Sequence, residues 1–334
     1  MPARIRAIAD PRFAAQLTRL RTSCGMSLRD LARLVHHGKS YLHDLETGRT
    51  RPTGAVAQQL DDALQAGGTL AALVADMPPV GTPDDDQRLA HIIANPARLD
   101  AAAVRLLADD LAMQRRLDDT LPAPMMLPSA ARQWRTIHTV AQQARGPHAA
   151  DVHEVAAEWT QFLGWLHAEA RNDTEATRLL VEAADQADAI NHGPLAAQAA
   201  NFRGYLARQR GNPRGIVRHF LAAYHTPGAT MLQRVGDAVQ AAHGFALLGD
   251  RTTAVRLLGE ASDLTTAAES ETPPATAYWL SPTFSRMGLG LVYRALGDHV
   301  SAADHLRAGL GGLPAEQQNA QWATEYRTVL AAIG

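Results

Sequence analysis

Apolar residues in the first fifth of the chain recur at helical spacing. Leu28, Leu31, Ala32 and Val35 mark one face of a helix, with polar residues between them. Ser27 precedes that helix as an N-cap, and Asp30 stands three positions on to complement it. Leu42 and Leu45 mark a second helix that stops at Gly48. Only Val35-His36-His37-Gly38 separates the two, which predicts a sharp turn, and Ala32 allows the helices to approach closely. Further helices are predicted for Phe13 to Ser23, Thr53 to Ala66 and Thr69 to Ala75. They form a five-helix unit over residues 1–77 with Leu17, Leu20, Leu31, Leu42, Leu45, Val56 and Leu60 as its core. The Pro-rich, then acidic, stretch 78–86 reads as a linker.

From Gln87 to Gly334 the apolar spacing stays at three and four, and almost no strand signal appears. The predicted fold class is therefore all-α. An internal repeat emerges when glycines are aligned. Gly164, Gly204, Gly244 and Gly290 follow one another at intervals of 40, 40 and 46, and twelve residues after them stand Ala176, Ile216, Arg256 and Ala302. Turn residues fall between, at Asn172-Asp173, Gly211-Asn212-Pro213, Gly249-Asp250 and Gly297-Asp298. Each unit reads as a helical hairpin, the glycine of its first helix allowing the second to pack close. Residues 315–333 are expected to cap the array. The stretch 87–145 is helical without a convincing repeat, an irregular early repeat or a connector that dimerises.

The N-terminal pattern, Leu17-x-x-Leu20-Arg21, Gly25-Met26-Ser27, Leu31-Ala32, Lys39-Ser40-x-Leu42-x-x-Leu45-Glu46-x-Gly48 and Arg51-Pro52, resembles the phage-repressor/Cro-like (XRE) helix-turn-helix domain over about 60 residues. Two positions depart from that pattern. His36 stands where the family has a turn glycine of positive φ, and histidine tolerates that conformation better than most residues. Gly38 stands where a Ser or Thr cap is common, which predicts a weakly capped second helix. The repeats resemble the tetratricopeptide (TPR) pattern, at a period longer than the usual 34. A helix-turn-helix head on a TPR-like α-solenoid resembles bacterial regulators, including those that sense peptides.

The resemblance implies a set of roles. The first turn of the second helix would face base edges with Lys39, Ser40, Tyr41, His43 and Asp44, while Arg29, Thr47, Arg49 and Arg51 would meet phosphates. Arg21 and Glu46 align with a partly buried ion pair. In the repeats, the first helix of each hairpin would line a concave groove for a peptide, small ligand or protein partner. Its inward positions would be Glu158, Gln161, Trp165, Gln198, Asn201, Tyr205 and Arg208, then Ala241, Phe245, Met287 and Arg294.

Composition narrows the class. The net charge is −2, but residues 1–76 carry ten Arg or Lys against seven Asp or Glu, a basic head on an acidic body. Arg4, Arg6 and Arg12 make the N-terminus an arm able to reach phosphates or a neighbouring groove. A single cysteine, Cys24, excludes an internal disulfide and suits a reducing, cytoplasmic setting. No apolar run approaches the length of a membrane span, and the N-terminus lacks the apolar core of a signal peptide. His36, His37 and His43 have no partners at a ligand spacing, so neither metal nor cofactor is expected. No catalytic motif is found, and the chain is not expected to be an enzyme. These readings predict a homodimeric transcriptional regulator on a pseudo-palindromic operator in double-stranded DNA. A TPR adaptor with a vestigial head is the alternative.

Overall fold

The computed structural model describes residues 6–9, 13–50, 52–77, 83–268, 271–273 and 277–333. Two compact units divide the chain: Met1–Ala90 with Pro124–Ser129, and His91–Ala123 with Ala130–Gly334.

In the first unit, α1 (Phe13–Ser23), α2 (Leu28–Leu34), α3 (Lys39–Glu46) and α4 (Gly54–Leu64) enclose one core. Leu17, Leu31, Leu42, Leu45 and Leu60 are at most 1% exposed there. The fifth helix expected over Thr69 to Ala75 is not formed. A single 3-10 turn, Ala71–Leu73, leads instead into strand β2 (Val74–Met77). This strand pairs antiparallel with β1 (Arg6–Ala9), Arg6 opposite Met77 and Ala9 opposite Val74. The cause is local. Gly67 and Gly68 both take positive φ, and the buried Asp61 carboxylate accepts from the Leu70 and Ala71 amides at 2.9 and 2.6 Å. Those amides are thereby fixed in a turn. The fold is all-α apart from this short ribbon, whose first strand is the described part of the N-terminal arm. Arg4 and Arg12 lie outside the described residues.

The expected linker 78–86 is also shorter. Helix α5 (Pro83–Ala94) begins inside it, with Asp84, Asp85 and Asp86 in its first turn, where negative charge complements the helix dipole.

The second unit holds α6 (Ala101–Leu117) and, along α7 (Ala123–Gln143), the residues from Ala130 on. Four helical hairpins follow, giving the TPR-like solenoid. They are α8 (Ala149–Glu169) with α9 (Asp173–Ala189), and α10 (Gly193–Gln209) with α11 (Pro213–His225). Next come α12 (Met231–Leu247) with α13 (Arg251–Ala267), and α14 (Pro282–Ala295) with α15 (His299–Gly311). A Cβ placed on Gly164, Gly204 or Gly290 would come within 2.9, 2.6 or 2.5 Å of Leu180, Phe220 or Leu306, each sixteen residues on. The glycines are what lets the hairpins close.

The third hairpin is set two residues away from the expected alignment. Its close-packing position is Ala242, not Gly244, and its partner is the fully buried Ala254, not the exposed Arg256. In this frame every hairpin turns alike. Arg171, Gly211, Gly249 and Gly297, each seven residues after the small residue, all have positive φ. Asn172, Asn212, Asp250 and Asp298 then stand as N-caps of the second helices.

The C-terminal α16 (Thr324–Ile333) does more than end the array. Glu325 reaches Arg208 on α10 at 3.1 Å, and Gln321, in the turn that leads into α16, donates to the Glu169 carbonyl at 2.9 Å. Among the described residues no helix is long and apolar enough to cross a membrane.

Candidate functional site

Three devices hold α2 and α3 in the head. At the start of α2, Ser27 and Asp30 form a reciprocal capping box. Between the helices, His36 takes φ +52°, the left-handed conformation its position requires, and the His37 ring nitrogen lies 3.1 Å from Gln59 on α4. Below α3, the Arg21 guanidinium donates to Glu46 from Nε at 2.6 Å and from Nη2 at 3.0 Å. Its Nη1 donates to the Met26 carbonyl at 2.8 Å. One side chain thus ties α1, the loop before α2, and α3. Hydrogen bonding to Glu46 raises the Arg21 pKa further above neutrality. The N-terminus of α3 has no such support, because Gly38 offers no side chain to cap it.

Lys39, Ser40 and His43 are exposed along α3, and Arg29, Thr47 and Arg49 are exposed around it. Tyr41 is half-buried, its ring 5.2 Å from that of His37, and burial raises its phenol pKa. Asp44 is also half-buried, while its carbonyl accepts the Arg49 and Thr50 amides as the chain leaves the helix. The Thr47 hydroxyl is turned back onto the His43 carbonyl at 2.8 Å, so its proton is already engaged. Arg51 lies outside the described residues. Among the described residues no three metal-ligating side chains converge.

The second unit holds an open cavity of about 500 Å³. Ten of the chain's seventeen aromatic residues line it, although they are scattered from Phe162 to Tyr326 in sequence. Of the groove residues expected from the sequence, Trp165, Asn201, Tyr205 and Arg208 stand on its wall. Gln161 and Gln198 do not. Both are buried, and Gln161 is used between helices, donating to the Leu195 carbonyl at 3.1 Å and accepting from Arg115 at 3.3 Å. Ala241 and Met287 are sealed in the helix stack, Phe245 packs in the α11–α13 core, and Glu158 and Arg294 are not on the wall. Arg208 is on the wall but already engaged. It pairs with Glu325 at 3.1 Å and donates to Gln240 and Tyr326. Burial lowers its pKa, but Glu325 and the neighbouring phenols outweigh that and raise it.

The most polar part of the wall comes from residues outside the repeat pattern. Asp118 accepts from Trp165 Nε1 at 2.6 Å. Asp119 lies 2.5 Å from the Tyr278 hydroxyl and accepts from Trp322 Nε1 at 3.2 Å and Gln317 at 3.1 Å. Burial pushes the Asp118 carboxyl up to about 7; the Trp165 hydrogen bond opposes this and Asp119 adds to it. Burial and Asp118 push Glu169, just behind, up to about 9. Arg115 is buried between the rings of Phe162 and Trp279, at 5.4 and 5.7 Å. In the sequence the adjacent pair Asp118-Asp119 just after an apolar-spaced helix was the available signal.

No curated protein sequence matches the chain. A crystal structure of Bacillus thuringiensis PlcR in complex with the peptide PapR7 and DNA is similar at 12% identity. It covers 96% of this chain and 98% of that one with a TM-score of 0.39, a likeness too loose to carry an argument. Residues 12–74 match the family model described as a helix-turn-helix domain. The head of this chain is a helix-turn-helix domain.

Proposed function

We propose that the chain is a transcriptional regulator of the XRE kind that reads a specific sequence in double-stranded DNA. In this reading Lys39, Ser40, Tyr41, His43 and Asp44 face base edges, and Arg29, Thr47, Arg49 and Arg51 meet phosphates. The observation that carries it is α3 itself. Lys39, Ser40 and His43 on it are polar and exposed, while its inward residues Leu42, Leu45 and Glu46 are fixed by the core and by Arg21. A helix held this rigidly with an uncommitted lysine at its N-terminal turn suits insertion into the major groove. One head covers a half-site, so the working form is a homodimer on a pseudo-palindromic operator. The TPR-like body supplies the input, a small ligand, peptide or partner protein received in its cavity, and sets the spacing of the heads. A cytoplasmic setting fits this role. No catalytic role is assigned.

Selection from a random double-stranded DNA pool, with the intact protein and with Lys39→Ala, tests this. The expected result is a paired motif with half-sites roughly 10 base pairs or a multiple apart, altered at one or two positions by the variant. Absence of any enriched motif for the intact protein withdraws the reading.

A further inference from the structure

The polar corner of the cavity has a sign. Asp118 and Asp119 follow the C-terminal end of α6, the end of a helix whose dipole favours cations. Both are about 95% buried and both line the cavity. Their hydrogen bonds all come from neutral groups, Trp165 Nε1 for Asp118 and Tyr278, Trp322 and Gln317 for Asp119. One oxygen of Asp118 is buried with no hydrogen-bond partner at all, as is one oxygen of Glu169 behind it. A buried carboxylate oxygen left without a donor is costly unless something arrives to satisfy it.

Arg115 is the guanidinium whose charge reaches Asp118; Arg116 stacks over the Tyr278 ring at 4.6 Å, and Arg286 and Arg208, the latter already paired with Glu325, also line the cavity. Arg115 does not reverse the sign. It is clamped between two aromatic rings, and its Nη2 donates to the Glu158 carbonyl and to Gln161 at 3.3 Å, while its Nε is buried without a partner. Beside the carboxyls runs a continuous aromatic wall. Trp165 lies 4.6 Å from Tyr205 and 4.9 Å from Phe202, and Phe202 stacks on Trp279 at 6.1 Å. Ring faces and desolvated carboxylates both attract a positive nitrogen.

We propose that the cavity receives a ligand carrying a protonated nitrogen on an aromatic or apolar body, its nitrogen at Asp118 and its body against Trp165 and Trp279. This rests on the reading of the body as the sensory part and gives its ligand a charge. A free small amine and the amino terminus of a short peptide share this chemistry.

Isothermal titration of the full-length protein without DNA separates the cases. The probes are phenethylamine, the peptide phenylalanyl-glycyl-glycine, and 3-phenylpropionate as the anionic counterpart. Saturable binding of either cation at least tenfold tighter than the acid supports the assignment, and the cation that binds identifies the source. Asp118→Asn keeps an acceptor for Trp165 but removes the charge. It should weaken the cation at least tenfold with an unchanged circular dichroism spectrum. If that variant does not fold, the comparison of cation and acid on the wild-type protein decides alone. Equal or tighter binding of the acid, or no saturable binding of either cation, overturns the proposal. A cation that binds without changing operator affinity leaves the assignment standing and removes the link to DNA.

Discussion

The Glu46 carboxylate grips Arg21 with both oxygens, at 2.6 and 3.0 Å, across 25 residues of chain. Their side chains are 14% and 8% exposed, so the pair is held largely out of water. Removing one partner leaves the other charge buried without compensation. Arg21→Ala and Glu46→Ala should each destabilise the head by about 3 kcal/mol, measured by denaturant unfolding of the full chain with the first transition followed. A loss well under 1 kcal/mol for both would show the pair to be solvated in solution.

The four hairpin turns supply an internal control. Arg171 has φ +60° where the other three turns have glycine. A left-handed arginine is strained, and its exposed contacts with Asp173 contribute little. Arg171→Gly should raise stability by roughly 0.5–1 kcal/mol. Alanine at Gly211, Gly249 or Gly297 should lower it by a similar amount, although no atom stands within 4 Å of the added carbon. Thermal melts of the four variants check the sign at each turn.

Close approach of α10 to α11 predicts a different kind of loss. A Cβ on Gly204 would sit 2.6 Å from the Phe220 ring. Gly204→Ala should cost about 1–3 kcal/mol by overpacking. Phe220→Leu should recover part of this in the double variant, giving a non-additive cycle.

The raised carboxyls set a slope with pH. Asp118 is pushed up to about 7 and Glu169 to about 9, both well above the range of an unfolded chain. Above roughly pH 4 the folded state therefore holds protons that the unfolded state has released. Stability from these groups is complete below pH 4 and is lost as pH rises through 7 and then 9. Melting temperature should fall between pH 5 and pH 9, and fall less in Asp118→Asn and Glu169→Gln. A rise over that range in the wild-type protein, or identical slopes in all three, would contradict the assignment.

Much of the head was legible in the sequence because its rules are local. Ser27 and Asp30 cap a helix three residues apart, His36 marks a left-handed turn, and Arg21-Glu46 belongs to a recognisable pattern. The fifth helix was misread because Asp61 binds two amides nine and ten residues away, and helix propensity does not register such a bond. In the body, the repeat was legible but one frame slipped. The packing requires a small residue, and Ala242 meets that need as well as a glycine, so alignment on Gly244 followed the wrong signal. The cavity was half legible. Trp165, Asn201, Tyr205 and Arg208 follow from repeat geometry, whereas Asp118, Tyr278 and Trp322 come from irregular segments with no period to place them. The partner of Arg208 was beyond reach for the same reason.

That partner has a consequence in time. Arg208 and Glu325 are 117 residues apart in sequence. At ribosomal speeds of about 5–20 residues per second, the arginine emerges roughly 6 to 23 seconds before the glutamate that neutralises it. During that interval the Arg208 guanidinium lacks the carboxylate that offsets its burial, which favours keeping it in water. The Arg208–Glu325 pair therefore forms only once the helix at 324–333 has been made.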